Sequence, residues 1–246
     1  MQNERNINIK KGTEKLFDGL EEFLSDKNPG SEEQLREMIG QYMEHYNQNI
    51  FQSSEDGHEP ETADDFLEIA EQAESKRDAL KYAKQALKLE PDNIDAQTTV
   101  AVHSASTSEN LVSKLKEVVD GATSAMKENG YFSKENIGEF WLIPGTRPYM
   151  RLLSEYAYAL YECSGMKTAA EICREMLRLC EGDNLGMRYM LVHIYAHLED
   201  EESALELMKQ YDEDSTQFLL PMSILYYKAG RLQKSSVISA QAGRFQ

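Results

Sequence analysis

The chain has no run of about eighteen apolar residues, so no segment of it is long and apolar enough to cross a bilayer as a helix. Met1 to Lys15 is polar and holds no apolar core of the kind a secretory leader needs. Cysteine is sparse: Cys163, Cys173 and Cys180 fall within one helical stretch, and three thiols in a reduced compartment is the simple reading. Positive charge is short as well. Twenty-six Lys and Arg face 43 Asp and Glu for a net of −17, and residues 1–100 carry 11 basic against 23 acidic side chains. Phosphate backbones and anionic membranes need clustered Lys and Arg, so neither is an expected partner. The runner-up to plain solubility for this charge is a basic partner segment. No Gly-rich phosphate loop, dinucleotide fingerprint or Ser/His/Asp set is present. His193 and His197 have the i, i+4 spacing of a helical metal pair, but the residues between them lack the glutamate of a zinc protease and no third ligand is evident. The expectation is a cytoplasmic protein with no enzymatic activity, no cofactor and no metal.

What is present is helical period. Thr13 opens a run with Leu16, Leu20, Phe23 and Leu24 on one face, and Asn28-Pro29-Gly30 closes it. Ser31-Glu32-Glu33-Gln34 reads as a capping box for a second helix, and Gln52–Pro60 as a polar linker. Beyond it, Phe66-Leu67-Glu68-Ile69-Ala70 is followed by Ala79, Ala83 and Ala86, small residues that mark a close helix crossing, and Pro91-Asp92-Asn93 turns the chain. The same two-helix unit returns more loosely at 95–128, then at 149–180, 186–211 and 216–242. The anchors Ala79, Leu111, Ala169, Ala204 and Ser235 are spaced 32, 58, 35 and 31. Only the 58 breaks a period of roughly 34, and an insertion around Tyr131–Pro148, with the only tryptophan, explains it.

This pattern resembles the tetratricopeptide repeat. The resemblance implies an all-α, right-handed solenoid of antiparallel helix pairs with one inserted loop. The expected parts are an N-terminal helical region at 1–60, first helix pairs at 61–130, the Trp-containing loop at 131–148 and three further pairs at 149–246. The end of the array carries no polar capping helix. The chain therefore reads as a piece of a longer array, with self-association through that end as the alternative.

The blocks Gly138-Glu139-Phe140-Trp141, Thr146-Arg147-Pro148-Tyr149-Met150-Arg151 and Asp183-Asn184-Leu185-Gly186-Met187-Arg188-Tyr189 are similar to those of bacterial tetratricopeptide proteins related to the suppression-of-tumorigenicity family. That likeness covers about 75 residues and implies an interaction protein without catalysis; Pro144-Gly145 departs from it.

In such repeats the first helix of each pair lines a concave groove. The corresponding positions here are Glu61, Asp64, Glu68 and Glu71; then Arg151, Ser154, Tyr158 and Glu162; then Gly186, Tyr189, His193 and Ala196; then Gln217, Leu220, Ile224 and Tyr227. The Lys and Asn set that clamps a C-terminal carboxylate is absent from them. The expected binding residues for a protein or peptide are Arg151, Tyr158, Tyr189, His193 and Tyr227. Arg147, Arg188 and Trp141 form a second group with two open readings. They hold an anion together with Arg151, or they stitch the loop to the repeats through carbonyls, Glu139 or Glu155. The function expected is a protein–protein or protein–peptide scaffold; the alternative is a regulator that senses a peptide or small anion.

Overall fold

The computed structural model describes residues 16–17, 19–20, 23–25, 27, 29–53, 60–212 and 214–242. The helix start at Thr13, linker residues 54–59 and the terminal Arg244-Phe245-Gln246 lie outside them. The described residues are mostly helical, with no strand among them and two isolated bridges from Gly138 and Glu139 to Cys180. No described helix is long and apolar enough to cross a membrane. The chain divides into two compact units, 1–61 and 62–246.

In the first unit, helix α1 spans Glu32–Ser53. Its cap is a variant of the expected box: Ser31 Oγ accepts the Gln34 N–H at 3.2 Å, while the Gln34 side chain reaches back one residue further, to the Gly30 N–H at 2.9 Å. The ring of Tyr42 on α1 meets Phe23 at 5.4 Å between centroids.

The second unit is a succession of helix pairs: α2 (Ala63–Gln72) with α3 (Lys76–Leu89), α4 (Ile94–Ser104) with α5 (Ser108–Glu128), α6 (Arg147–Glu162) with α7 (Met166–Leu179), α8 (Met187–Leu198) with α9 (Glu201–Tyr211), and α10 (Thr216–Lys228) with α11 (Leu232–Ala242). Each helix packs on the next in sequence, and first helices also touch across pairs, α2 on α4, α4 on α6 and α8 on α10. Short caps define the starts. Thr62 and Asp65 form a reciprocal capping box, and Ser75, Asn93, Thr107 and Asp200 each accept a backbone N–H three residues on. Ala79, Ala83 and Ala86 are fully buried on α3, where a methyl is all the space that the crossing leaves. The larger side chains Leu115, Leu152, Leu153, Met176, Leu191, Ile194, Phe218, Met222 and Leu225 form a continuous core from α5 onward.

Between α5 and α6 the chain makes two single-turn 3₁₀ helices, Phe140–Leu142 and Pro144–Thr146. Phe140 and Trp141 are buried there, and Phe132 meets both Phe140 and Tyr149 edge-on. Helix α6 opens at Arg147, inside the stretch read as loop. Pro148 allows this: its fixed φ suits a first turn, and its missing N–H is one the helix would not have bonded. Elsewhere helix ends fall within two residues of their expected places.

Candidate functional site

Each of the three loop-flanking arginines grips a different acceptor. Arg147 is buried, donates from Nε to the Trp141 carbonyl at 2.8 Å and lies over the indole ring. Beside it, Thr146 Oγ1 donates to the Phe140 carbonyl. Helix and loop are thereby tied at the point where the loop becomes helix. Arg151 instead reaches α4: its Nε donates to Asp95 Oδ1 at 3.0 Å and Nη2 to Oδ2, in a fork with both side chains about four-fifths buried. Arg188 pairs with Asp183 at 2.9 Å and lies over the rings of Tyr189 and Tyr211. A carbonyl was among the expected acceptors, and Arg147 uses one; Arg151 and Arg188 pair with Asp95 and Asp183, which were not among those expected from sequence. Local spacing carries no sign of Asp95, 56 positions from its partner.

Asp183 is the anchor of the loop's other side. Its carboxylate is buried and accepts the N–H groups of Met187 (2.6 Å) and Arg188 (3.1 Å), so it caps α8 from four residues upstream. Burial pushes its carboxyl above the usual carboxylate range, while these donors and Arg188 pull it back down. The loop backbone is laced to the same turn: Gly138 N–H donates to the Leu179 carbonyl at 3.1 Å, and Glu181 N–H to the Gly138 carbonyl at 2.9 Å. Gly138 takes a φ of +97°, which a side chain would resist. A narrow crevice of about 10 Å³, bordered by Trp141, Met150, Met176, Asp183 and Met187, lies under the loop. Most of its neighbours are already committed to packing or capping.

The first helices present a different surface. On α6, Arg151, Ser154, Glu155, Tyr158 and Glu162 share one face, and everything opposite them is core. Tyr158 is 50% exposed. Glu155 also reaches solvent, yet atoms surround it closely enough that burial, with the charge of Glu162 second, pushes its carboxyl up from the ordinary value. On α8, His193 has the same character: it is exposed, and surrounding protein holds its imidazole below the usual value. Tyr189 is half-buried and its hydroxyl accepts from Arg188 Nη2 at 2.7 Å. Ala196 is buried rather than groove-lining, covered where Lys228 Nζ comes within 3.4 Å of its carbonyl. That same contact sets the end of α10 beside the end of α8.

On α10 the exposed positions are Gln217, Leu220, Ile224, Tyr227 and Lys228, at helical spacing along one side. Leu220 is 44%, Ile224 54% and Tyr227 67% exposed, while Phe218, Leu219, Met222 and Leu225 between them are buried. On α2 the positions Asp64, Glu68 and Glu71 are all exposed, as is Glu61 before the helix starts. Among the described residues, no three His, Cys, Asp or Glu side chains gather as a metal ion would require. Cys173 is buried and desolvation pushes its thiol up to about 12, so its thiolate is disfavoured. No protein-family model matches the chain, and no curated protein matches it either.

Proposed function

We propose that the helix pairs from residue 62 onward form a tetratricopeptide-like, right-handed solenoid, and that the chain works as a cytoplasmic scaffold docking a protein or peptide segment on the face made by its first helices. The observation that carries this is the exposed apolar row Leu220, Ile224 and Tyr227 on α10. A soluble helix at the edge of a well-packed core has no reason of stability to keep three large apolar side chains in water on one stripe; such stripes mark docking surfaces. Two features support extending the face to α6 and α8. Tyr158 on α6 is exposed at the corresponding position, and the Lys228–Ala196 contact brings the C-terminal ends of α8 and α10 together. Tyrosines anchor interfaces well because they bury a large rigid surface at small entropic cost. Arg151 is held by Asp95 and Tyr189 by Arg188, so their part in docking is to shape the walls.

Site-specific photocrosslinking tests the reading. A benzophenone amino acid at Tyr158 and another at Tyr227 are expected to trap the same partner in the native cell, whereas one at exposed Leu89 traps none of it. Equal trapping from all three positions would remove the docking face from these helices.

A further inference from the structure

The docking face joins two chemistries, and together they select a partner. On α6, Glu155, Tyr158 and Glu162 stand at i, i+3 and i+7, so an exposed phenol ring lies between two carboxylates on one side of the helix. No cation stands against either carboxylate among the described residues. The charge that Glu155 feels most is that of Glu162, and this charge opposes its ionisation. The two like charges stand two helical turns apart on one exposed face, and a cation arriving between them is attracted by both. The ring between them offers its face, and aromatic faces with flanking carboxylates attract ammonium and guanidinium groups. On α10, Ile224 and Tyr227 offer apolar contact and no charge of either sign until Lys228, which is turned toward Glu199 at 3.6 Å.

We infer that the docked segment is cationic at one end and apolar at the other: a Lys or Arg side chain seats over Tyr158 between Glu155 and Glu162, and apolar residues further along pack on Ile224 and Tyr227. This rests on the scaffold reading and narrows it to one partner chemistry. The two parts of this face lie on different helices, α6 and α10, so the segment must run from one to the other, and an extended chain advances at roughly 3.3 Å per residue. The net charge of −17 acts in the same direction, steering a basic segment toward the molecule at long range. Long-range steering is indifferent to position, however; the two glutamates flanking the tyrosine give the contact its address.

The test is fluorescence anisotropy with the full chain and three labelled twelve-residue peptides: one with Lys and Leu at opposite ends, one with Glu replacing each Lys, and one with Ser replacing each Leu. The Lys–Leu peptide is expected to bind, more weakly at 0.5 M than at 0.05 M NaCl, and at least tenfold more tightly than either other peptide. Glu155→Gln with Glu162→Gln should weaken it about tenfold. Glu117→Gln with Glu128→Gln, the same change of charge on the exposed side of α5, should leave it within twofold. Equal weakening by both double variants, or equal binding of the Glu peptide, overturns the cationic assignment while leaving the scaffold reading standing. Unchanged binding in Ile224→Ser with Tyr227→Ser overturns the scaffold face itself. Circular dichroism of each variant separates loss of binding from loss of fold.

Discussion

Arg151 on α6 holds Asp95 on α4 in a two-point fork, closing a span of 56 residues that contains helix α5 and the whole tryptophan loop. The pair fixes first helix to first helix independently of the second helix between them. Both side chains are about four-fifths buried, so removing one costs the other its two-point contact where little water can replace it. Asp95→Ala and Arg151→Ala are each expected to cost about 2 kcal/mol, below the range for fully buried pairs because some water remains. The double variant should cost less than the sum, with a coupling of about 1 kcal/mol. Urea unfolding of the four proteins in a cycle measures it. Strict additivity would show that the fork is incidental to stability.

The crossing of α2 and α3 depends on missing volume. Ala83 is fully buried at the middle of the Ala79–Ala83–Ala86 stripe, and Phe66 of α2 stacks on Tyr82 beside it at 6.5 Å. Ala83→Leu should force the helices apart and destabilise by about 2 kcal/mol, in the range found for overpacked sites. Lys84→Leu, one position on and facing solvent, has a similar helix propensity and should change stability by less than about 0.5 kcal/mol. If both behave alike, the crossing is not tight.

That stripe was readable in the sequence because small residues at helical spacing inside an otherwise bulky seam have a local signature. The position of the loop was readable for the converse reason: the anchors before and after it, Leu111 and Ala169, are too far apart for one repeat. What joins the loop to the helices was not. Asp95 reads as an ordinary first-turn acid, and only three dimensions bring it to Arg151. Asp183 is intermediate: an acid three residues before Gly186 is a plausible cap, though nothing in the string indicates that it is buried. Several helix ends were also written without the usual signal. Ser164, Glu199 and Asp212 take left-handed φ values of +60°, +60° and +45° where glycine would be the expected residue. Of the groove positions, Tyr158, His193 and Tyr227 do reach solvent, but Ala196 does not, because packing of α10 on α8 covers it. Spacing assigns a residue to a face of its helix; the neighbouring helix decides how much of that face stays open.

Glu155 allows a test of whether the face is maintained at the expense of stability. Its folded carboxyl is raised by burial and by Glu162, so the native state holds the proton more tightly than the unfolded chain does. Stability contributed by this group therefore falls as pH rises through the window from the ordinary glutamate value to the raised one. Glu155→Gln removes that loss. The variant should be more stable than the parent at pH 7, with the advantage vanishing as the pH falls below the ordinary glutamate range. Urea midpoints at pH 4 and pH 7 measure it. An advantage of equal size at both pH values would assign the effect to packing instead of charge.

The cysteines offer a clock for opening of the core. Cys173 is fully buried against Met190, with its Sγ 3.7 Å from the methionine sulfur and its thiol raised to about 12, and Cys180 is buried under the loop. Cys163 sits half-buried at the end of α6. Native protein treated with a disulfide reagent at pH 8 is expected to lose one thiol quickly and two slowly. Mass spectrometry should place the fast label on Cys163, and Cys163→Ser should abolish the fast phase alone. The slow phase requires helix α7 to leave its neighbours, so its rate should rise with urea and follow the unfolding equilibrium when opening is rapid. Fast labelling of Cys173 in the native protein would mean that the α7–α8 contact opens without global unfolding, and the core from α5 onward would then be two cooperative units rather than one.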